Sequence, residues 1–154
     1  MSYYILDSSA LVKRYMPEPG SAWIKALTAA SSGYTIVVAQ ITSVETVSAI
    51  TRRMHAGSIS TRTAKATRLL IDRHFIRQYD KVRLTTDILL RAEDLLAQYP
   101  LRAADAIQLS SALEAHKFMV QRGLPQPIFV CADHRLLAAA IAEGLRTDDP
   151  NLYP

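Results

Sequence analysis

Apolar and polar positions change period several times along the chain, and each change marks an element. Tyr3-Tyr4-Ile5-Leu6 is a short apolar run that stops on an acid, Asp7. Such a run reads as a buried strand. Ser8-Ser9 follows, then a segment that can wind into helix. Pro17-Glu18-Pro19-Gly20 is a turn, Ser21 to Ala30 has helical composition, and Ser31-Ser32-Gly33 breaks it. Tyr34 to Val38 is rich in β-branched residues and predicts a second strand. Gln40 to Ala56 is helical and Gly57 ends it. Ser60 to Tyr79 predicts a long amphipathic helix with Leu69 and Ile76 toward the core. Lys81 to Thr85 is a short strand. Thr86 to Tyr99 is helical, with Ile88, Leu89, Ala92, Leu95 and Leu96 on one side, and Pro100 stops it. Ala103 to Arg122 is a further helix. Ile128 to Cys131 is a nearly continuous apolar strand, as expected when both sheet faces are covered. His134 to Glu143 is the last helix, and Leu145 to Thr147 an edge strand.

Strands alternating with helices predict an α/β protein: three layers, α/β/α, around a central parallel sheet. No repeat, low-complexity tract or linker divides the chain, and 154 residues suit one domain, 1–154. Hydrophobic residues make up 49% and charged residues 21%, as in an ordinary globular protein. Cys131 is the only cysteine, so no internal disulfide can form, which fits a reducing compartment. The longest purely aliphatic run, Leu136 to Ala142, is too short to span a bilayer. The N-terminus reads as strand at once, without a basic leader. The expectation is a cytoplasmic protein with no membrane partner.

Charge changes the picture. Between Arg52 and Lys81 lie eight basic residues and two acids, a net +6, against −2 for the rest of the chain. A concentrated positive region suits a polyanion. Its ordinary alternative is a solvated helix face.

The acids fall in related places. Asp7 follows the first strand and Asp133 follows the strand ending at Cys131. Glu45 lies in the first turns of the helix after the second strand, and Asp105 in the first turns of the helix after Pro100. Strands of one parallel sheet point the same way, so their C-terminal ends share an edge where such folds form a ligand crevice. Each acid has an ordinary role as well. Asp7 and Asp133 suit N-caps, Thr42-Ser43-Val44-Glu45 is a capping-box pattern, and Asp105 favours the positive end of its helix. Helical spacing nevertheless places Glu45 with Ile41, Ser48 and Ala49, and Asp105 with Leu109 and Ala112. Both acids thus look inward, and a buried charge needs a partner. Several carboxylates in one cleft repel unless a cation sits among them. Oxygen-rich, thiol-free ligands favour Mg²⁺ or Mn²⁺. Such an ion beside a basic helical pair points to phosphodiester hydrolysis. Ser9 has the reach to bond a metal water or a phosphate, and Arg52 and Arg53 are candidate phosphate contacts. No zinc spacing or Gly-rich phosphate loop is present.

Four segments resemble the motifs of PIN-domain ribonucleases in their order. They are Leu6-Asp7-Ser8-Ser9-Ala10-Leu11-Val12-Lys13, Thr42-Ser43-Val44-Glu45, Leu101-Arg102-Ala103-Ala104-Asp105-Ala106-Ile107-Gln108-Leu109 and Val130-Cys131-Ala132-Asp133-His134-Arg135-Leu136. The resemblance covers nearly the whole chain and is nearest to VapC-like toxins of toxin–antitoxin pairs. It implies a small α/β/α domain, an acidic Mg²⁺/Mn²⁺ site and metal-dependent RNA cleavage. It also implies a homodimer and a small cognate antitoxin. Asp7, Glu45, Asp105 and Asp133 match the family's acidic positions. His134 and Arg135 stand where some relatives carry a further acid.

Two other readings compete. A phosphoacceptor signalling domain also gathers acids around Mg²⁺, but it uses an acid pair after the first strand and a lysine after a late one. Here Asp7 stands alone and no lysine follows Cys131. A non-catalytic nucleic-acid or partner-binding module would keep the fold without turnover.

Overall fold

In the computed structural model, which describes residues 1–153, the apolar runs pair into one sheet. Its strands are β1 (Tyr3–Leu6), β2 (Thr35–Ala39), β3 (Tyr79–Val82), β4 (Ile128–Val130) and β5 (Arg146–Asp148). All neighbours are parallel, in the order β3-β2-β1-β4-β5. β1 is central, with Ile5 opposite Val37 on one side and Phe129 on the other.

Parallel strands need crossover connections, and helices supply them. α1 (Ser8–Leu11) leads into a 3₁₀ turn at Val12–Arg14. Then come α2 (Ser21–Leu27), α3 (Thr42–His55), α4 (Thr61–Arg77), α5 (Thr86–Gln98), α6 (Ala103–Gln121) and α7 (His134–Ala142), with a second 3₁₀ turn at Pro150–Leu152. Side chains alternate across a strand, so the sheet feeds two cores. Ile5, Val37 and Phe129 pack with Leu95, Leu109 and Leu136 of α5, α6 and α7. Leu6, Val38 and Val130 pack with Leu11, Ile24, Ile50, Ile71 and Phe75 on the other face. The three-layer α/β/α architecture with a parallel sheet is the one the sequence predicts.

Several details differ from the sequence reading. In α4 the buried positions are Ala64, Ile71, His74 and Phe75, while Leu69 and Ile76 are 69% and 77% exposed. The helix is rotated so that Ile71 and Phe75 meet the sheet, and the Leu69/Ile76 row faces outward. α5 buries Ile88, Ala92 and Leu95 and leaves Leu89 and Leu96 at its margin. α2 stops at Leu27, where the buried Thr28 hydroxyl donates to the Ile24 carbonyl at 2.7 Å and competes with further helix. β3 begins at Tyr79 rather than Lys81. Tyr79 is buried edge-on against Phe75 at 5.1 Å, and this packing with the pairing of Ile36 to Tyr79 fixes the register.

The C-terminal turn is sewn to the start of the chain. Gly20 has φ +86°, and a Cβ there would lie 2.2 Å from the Pro150 carbonyl oxygen. Only glycine combines that backbone with that approach. Lys13, 4% exposed, donates to the Glu18 carboxylate (3.3 Å), the Pro19 carbonyl (2.9 Å) and Asn151 Oδ1 (3.0 Å). Asn151 Nδ2 in turn donates to the Ala132 carbonyl at 3.2 Å.

Candidate active site

The C-terminal ends of β1 and β4 lie side by side, and the Asp7 N–H donates to the Val130 carbonyl at 3.1 Å. Asp7 is the N-cap of α1, and its Oδ1 accepts the Ala10 N–H at 3.0 Å. The Ser9 hydroxyl lies 2.9 Å from both carboxylate oxygens and donates to them. The same hydroxyl accepts the Ala132 N–H at 2.9 Å, so Ser9 ties the β1–α1 turn to the β4–α7 turn. Asp7 therefore caps a helix and is also enclosed. Burial pushes its carboxyl up to about 6, against the opposing pull of hydrogen bonds from Ala10 and Ser9.

Glu45 sits on the first turn of α3. It does not close a capping box with Thr42, because the N-cap of α3 is Ile41. The Glu45 carboxylate instead accepts from the side-chain amide of Gln108 on α6. That amide also donates to the Thr42 hydroxyl at 3.0 Å. Burial raises the Glu45 pKa and the Asp105 charge adds to the rise, while the Gln108 and Ser8 hydrogen bonds and Arg52 oppose it. Asp105 occupies the third position of α6, and its Oδ2 accepts the Arg102 N–H at 3.3 Å. Asp133 caps α7, its Oδ1 accepting from Arg135 (2.9 Å) and Leu136 (3.1 Å).

Asp7, Glu45, Asp105 and Asp133 all line one cavity of about 460 Å³, together with Ser9, Arg52 and Arg102. Among the described residues none of these four acids forms an ion pair. Arg52 spends one nitrogen on the Ser48 hydroxyl at 3.1 Å. Arg53 lies outside this cavity and pairs with Glu18. His134 does not line the cavity and stands 3.8 Å from Asp149. Cys131 is buried beside Asp7, and burial followed by the Asp7 charge pushes its thiol far up, so it is not a nucleophile.

The donor set suits a hard divalent ion: oxygen only, partly desolvated, and, among the described residues, in no direct ion pair with a guanidinium. The set is open. Among the described residues no three carboxylate, imidazole or thiol groups are gathered closely enough to enclose an ion directly. That openness fits Mg²⁺, which keeps several waters and uses one or two carboxylates at a time.

Sequence reasoning missed Arg102 and Gln108 as parts of the site. Gln108 carried a signal: it is one turn beyond Asp105 and is a long polar side chain among the small and apolar residues that α6 buries. Arg102 stands beside an acid at a helix start, and only the folded cavity shows that it faces the same space.

A parallel sheet in this order, with acids from β1, α3, α6 and the β4–α7 turn meeting over its carboxyl edge, defines a class of α/β domain with an acidic cleft. The sequence model of the PIN domain family matches residues 4–120, and the chain belongs to that family. Comparison with curated proteins gives no match. Among solved structures, the chain is similar to the Mycobacterium tuberculosis toxin VapC20, described as cleaving the sarcin-ricin loop. The TM-score is 0.61 at 18% identity, over 90% of this chain and 95% of that one. It is also similar to a structure of VapBC2 from Rickettsia felis bound to a promoter DNA fragment, with TM-score 0.60, 12% identity and coverage of 96% and 98%. A toxin–antitoxin complex from Klebsiella pneumoniae gives TM-score 0.57 and 18% identity over 96% and 97%. The fold is that of the VapC toxins. No helix of the described residues is long and apolar enough to cross a membrane.

Proposed function

We propose that the chain is a metal-dependent endoribonuclease acting in the cytoplasm as the toxin of a toxin–antitoxin pair. One observation carries this reading: Asp7, Glu45 and Asp105, from three separate elements, share a cavity with no cation paired to them. One or two of these carboxylates would hold Mg²⁺ or Mn²⁺ directly and the others through its waters, with Asp133 lining the same cavity. A bound ion supplies an acidified water and neutralises charge on the phosphate. Ser9 keeps the Asp7 carboxylate turned toward the cavity and locks the two sheet-edge turns together. Gln108 holds Glu45 in place. Arg52 and Arg102 draw the phosphate of an RNA strand toward the acids, which would otherwise repel it.

The partner is a small antitoxin. Support comes from a groove of about 470 Å³ between α3 and α4, lined by Val47, Ile50, Met54 and Leu69 and edged by Lys65 and Arg68. An amphipathic helix with an acidic margin fits that combination. A homodimer is part of the same proposal. The outward-facing Leu89, Leu90 and Leu96 of α5 support it.

The test is RNA cleavage by the purified chain with Mg²⁺ or Mn²⁺, abolished by EDTA. Full activity in an Asp7→Asn, Asp105→Asn double variant ends the proposal. The openness of the acid set favours a second reading, a PIN module that binds RNA without cutting it. Tight metal-independent binding with no cleavage across varied RNAs would establish that one instead.

A further inference from the structure

A second hollow adjoins the acid-lined cavity. It measures about 380 Å³, and Val12, Ala49 and Arg52 belong to the walls of both. Arg52 thus stands between the two, and its guanidinium bonds Ser48 on the side of the acid cavity. On the near side stand the four acids. On the far side the lining adds Glu18, Arg53 and Ser58.

Glu18 is the acid on the far side, and it is answered twice. Lys13 Nζ lies 3.3 Å from one carboxylate oxygen, and Arg53 pairs with the other. Lys13 is buried and spends its other bonds on Pro19 and Asn151, so its charge is committed to Glu18. The Lys13–Glu18–Arg53 group keeps a net charge of one positive unit, and Arg52 adds a second. Glu18 therefore aims Arg53 without cancelling it. A guanidinium carries five donors, so the bond to Glu18 leaves most of the fork for a ligand.

We infer that the second hollow holds the phosphodiester next to the scissile one, with Arg53 as its anchor and Arg52 bridging the two positions. This rests on the nuclease reading and adds the path of the strand to it. A polyanion lying across both hollows passes from a centre that needs a metal to one that supplies its own positive charge.

The measurement is binding of fluorescein-labelled RNAs of two, four and six nucleotides, by anisotropy, with every chain carrying Asp7→Asn to prevent cleavage. Affinity rises as the RNA outgrows the acid cavity. Adding Arg53→Gln removes most of that gain, about ten-fold, and lowers the slope against log salt by about 0.7. Arg53→Lys, which keeps the charge but not the fork, restores part of the gain. Arg122→Gln, at the far end of α6, makes the same charge change away from both hollows and keeps the gain. Matching melting temperatures exclude misfolding. An undiminished gain in Arg53→Gln, or an equal loss in Arg122→Gln, overturns the inference while leaving the nuclease intact. If the Asp7→Asn chain binds no RNA and the unmodified chain cuts none, both fall together.

Discussion

Gln108 reaches across the α3–α6 interface to donate its side-chain amide to Glu45, while Thr42 accepts from the same amide at 3.0 Å. Both partners of Gln108 lie on α3, so one buried side chain fixes the distance between two acid-bearing helices. Gln108→Leu keeps the volume but leaves Glu45 without its donor. Expected is a loss of activity on the order of 10- to 100-fold and of stability of about 1–3 kcal/mol. Cleavage kinetics and urea unfolding of the same sample measure both. Unchanged kinetics would show that Glu45 needs no positioning.

Asp7 is held with a pKa of about 6, above its ordinary 3.8, because it is buried without a cation. The folded state binds the extra proton between those values. The group's contribution is therefore fully present below about pH 4 and lost as pH rises through 6. Asp7→Asn keeps an oxygen for the Ala10 N–H and removes the charge. At pH 7 the variant should be more stable than the native chain by about 3 kcal/mol, with the difference vanishing near pH 4. Urea unfolding at the two pH values checks this. The same variant should be inactive, a direct conflict between stability and function.

Metal should relieve that conflict. Mg²⁺ or Mn²⁺ at 100 times its Kd stabilises a folded chain by about 2.7 kcal/mol. The melting temperature of the native chain should therefore rise with added ion and fall with EDTA. The Asp7→Asn, Asp105→Asn double variant should not respond. Equal responses would place the ion elsewhere.

Lys13 joins Glu18, Pro19 and Asn151 from a buried position. Lys13→Met removes the charge and leaves three oxygens, Glu18 Oε2, the Pro19 carbonyl and Asn151 Oδ1, without that donor. Expected is a loss on the order of 2–3 kcal/mol, read as a lower urea midpoint at unchanged slope.

Leu69 is exposed on the α3–α4 groove. Leu69→Glu should leave the melting temperature unchanged yet prevent copurification with a coexpressed antitoxin. Retained copurification would move the antitoxin to another surface.

β1, β2 and β4 are legible in the sequence because these strands are apolar on both faces, and Ile5/Leu6, Val37/Val38 and Phe129/Val130 read as buried without partner information, whereas β3 and β5 are polar and half exposed. The strand-end positions of Asp7 and Asp133 followed from the same logic. The sequence pattern predicts α4 in a different rotation, since Leu69 and Ile76 are as hydrophobic as Ile71 and Phe75, and only the sheet decides which row is covered. Gln108 acts through residues on α3, and Arg102 belongs to the site only through the cavity it lines, so local pattern does not reveal them. Arg53 shows the converse: its position in a basic run was plain, but its tether to Glu18 is a tertiary fact.

Ser9 closes the floor of the acid cavity by accepting from Ala132, a residue synthesised 123 positions later. β1 is made well before its neighbour β4, with α1 to α6 between them in the chain. A chain still being translated, clear of the ribosome as far as α6, has Asp7, Glu45 and Asp105 but lacks the wall that β4 and its turn provide. The cleft is thus finished only once β4 and its turn have been made, and through the synthesis of every helix from α1 to α6 its acids stand without that wall.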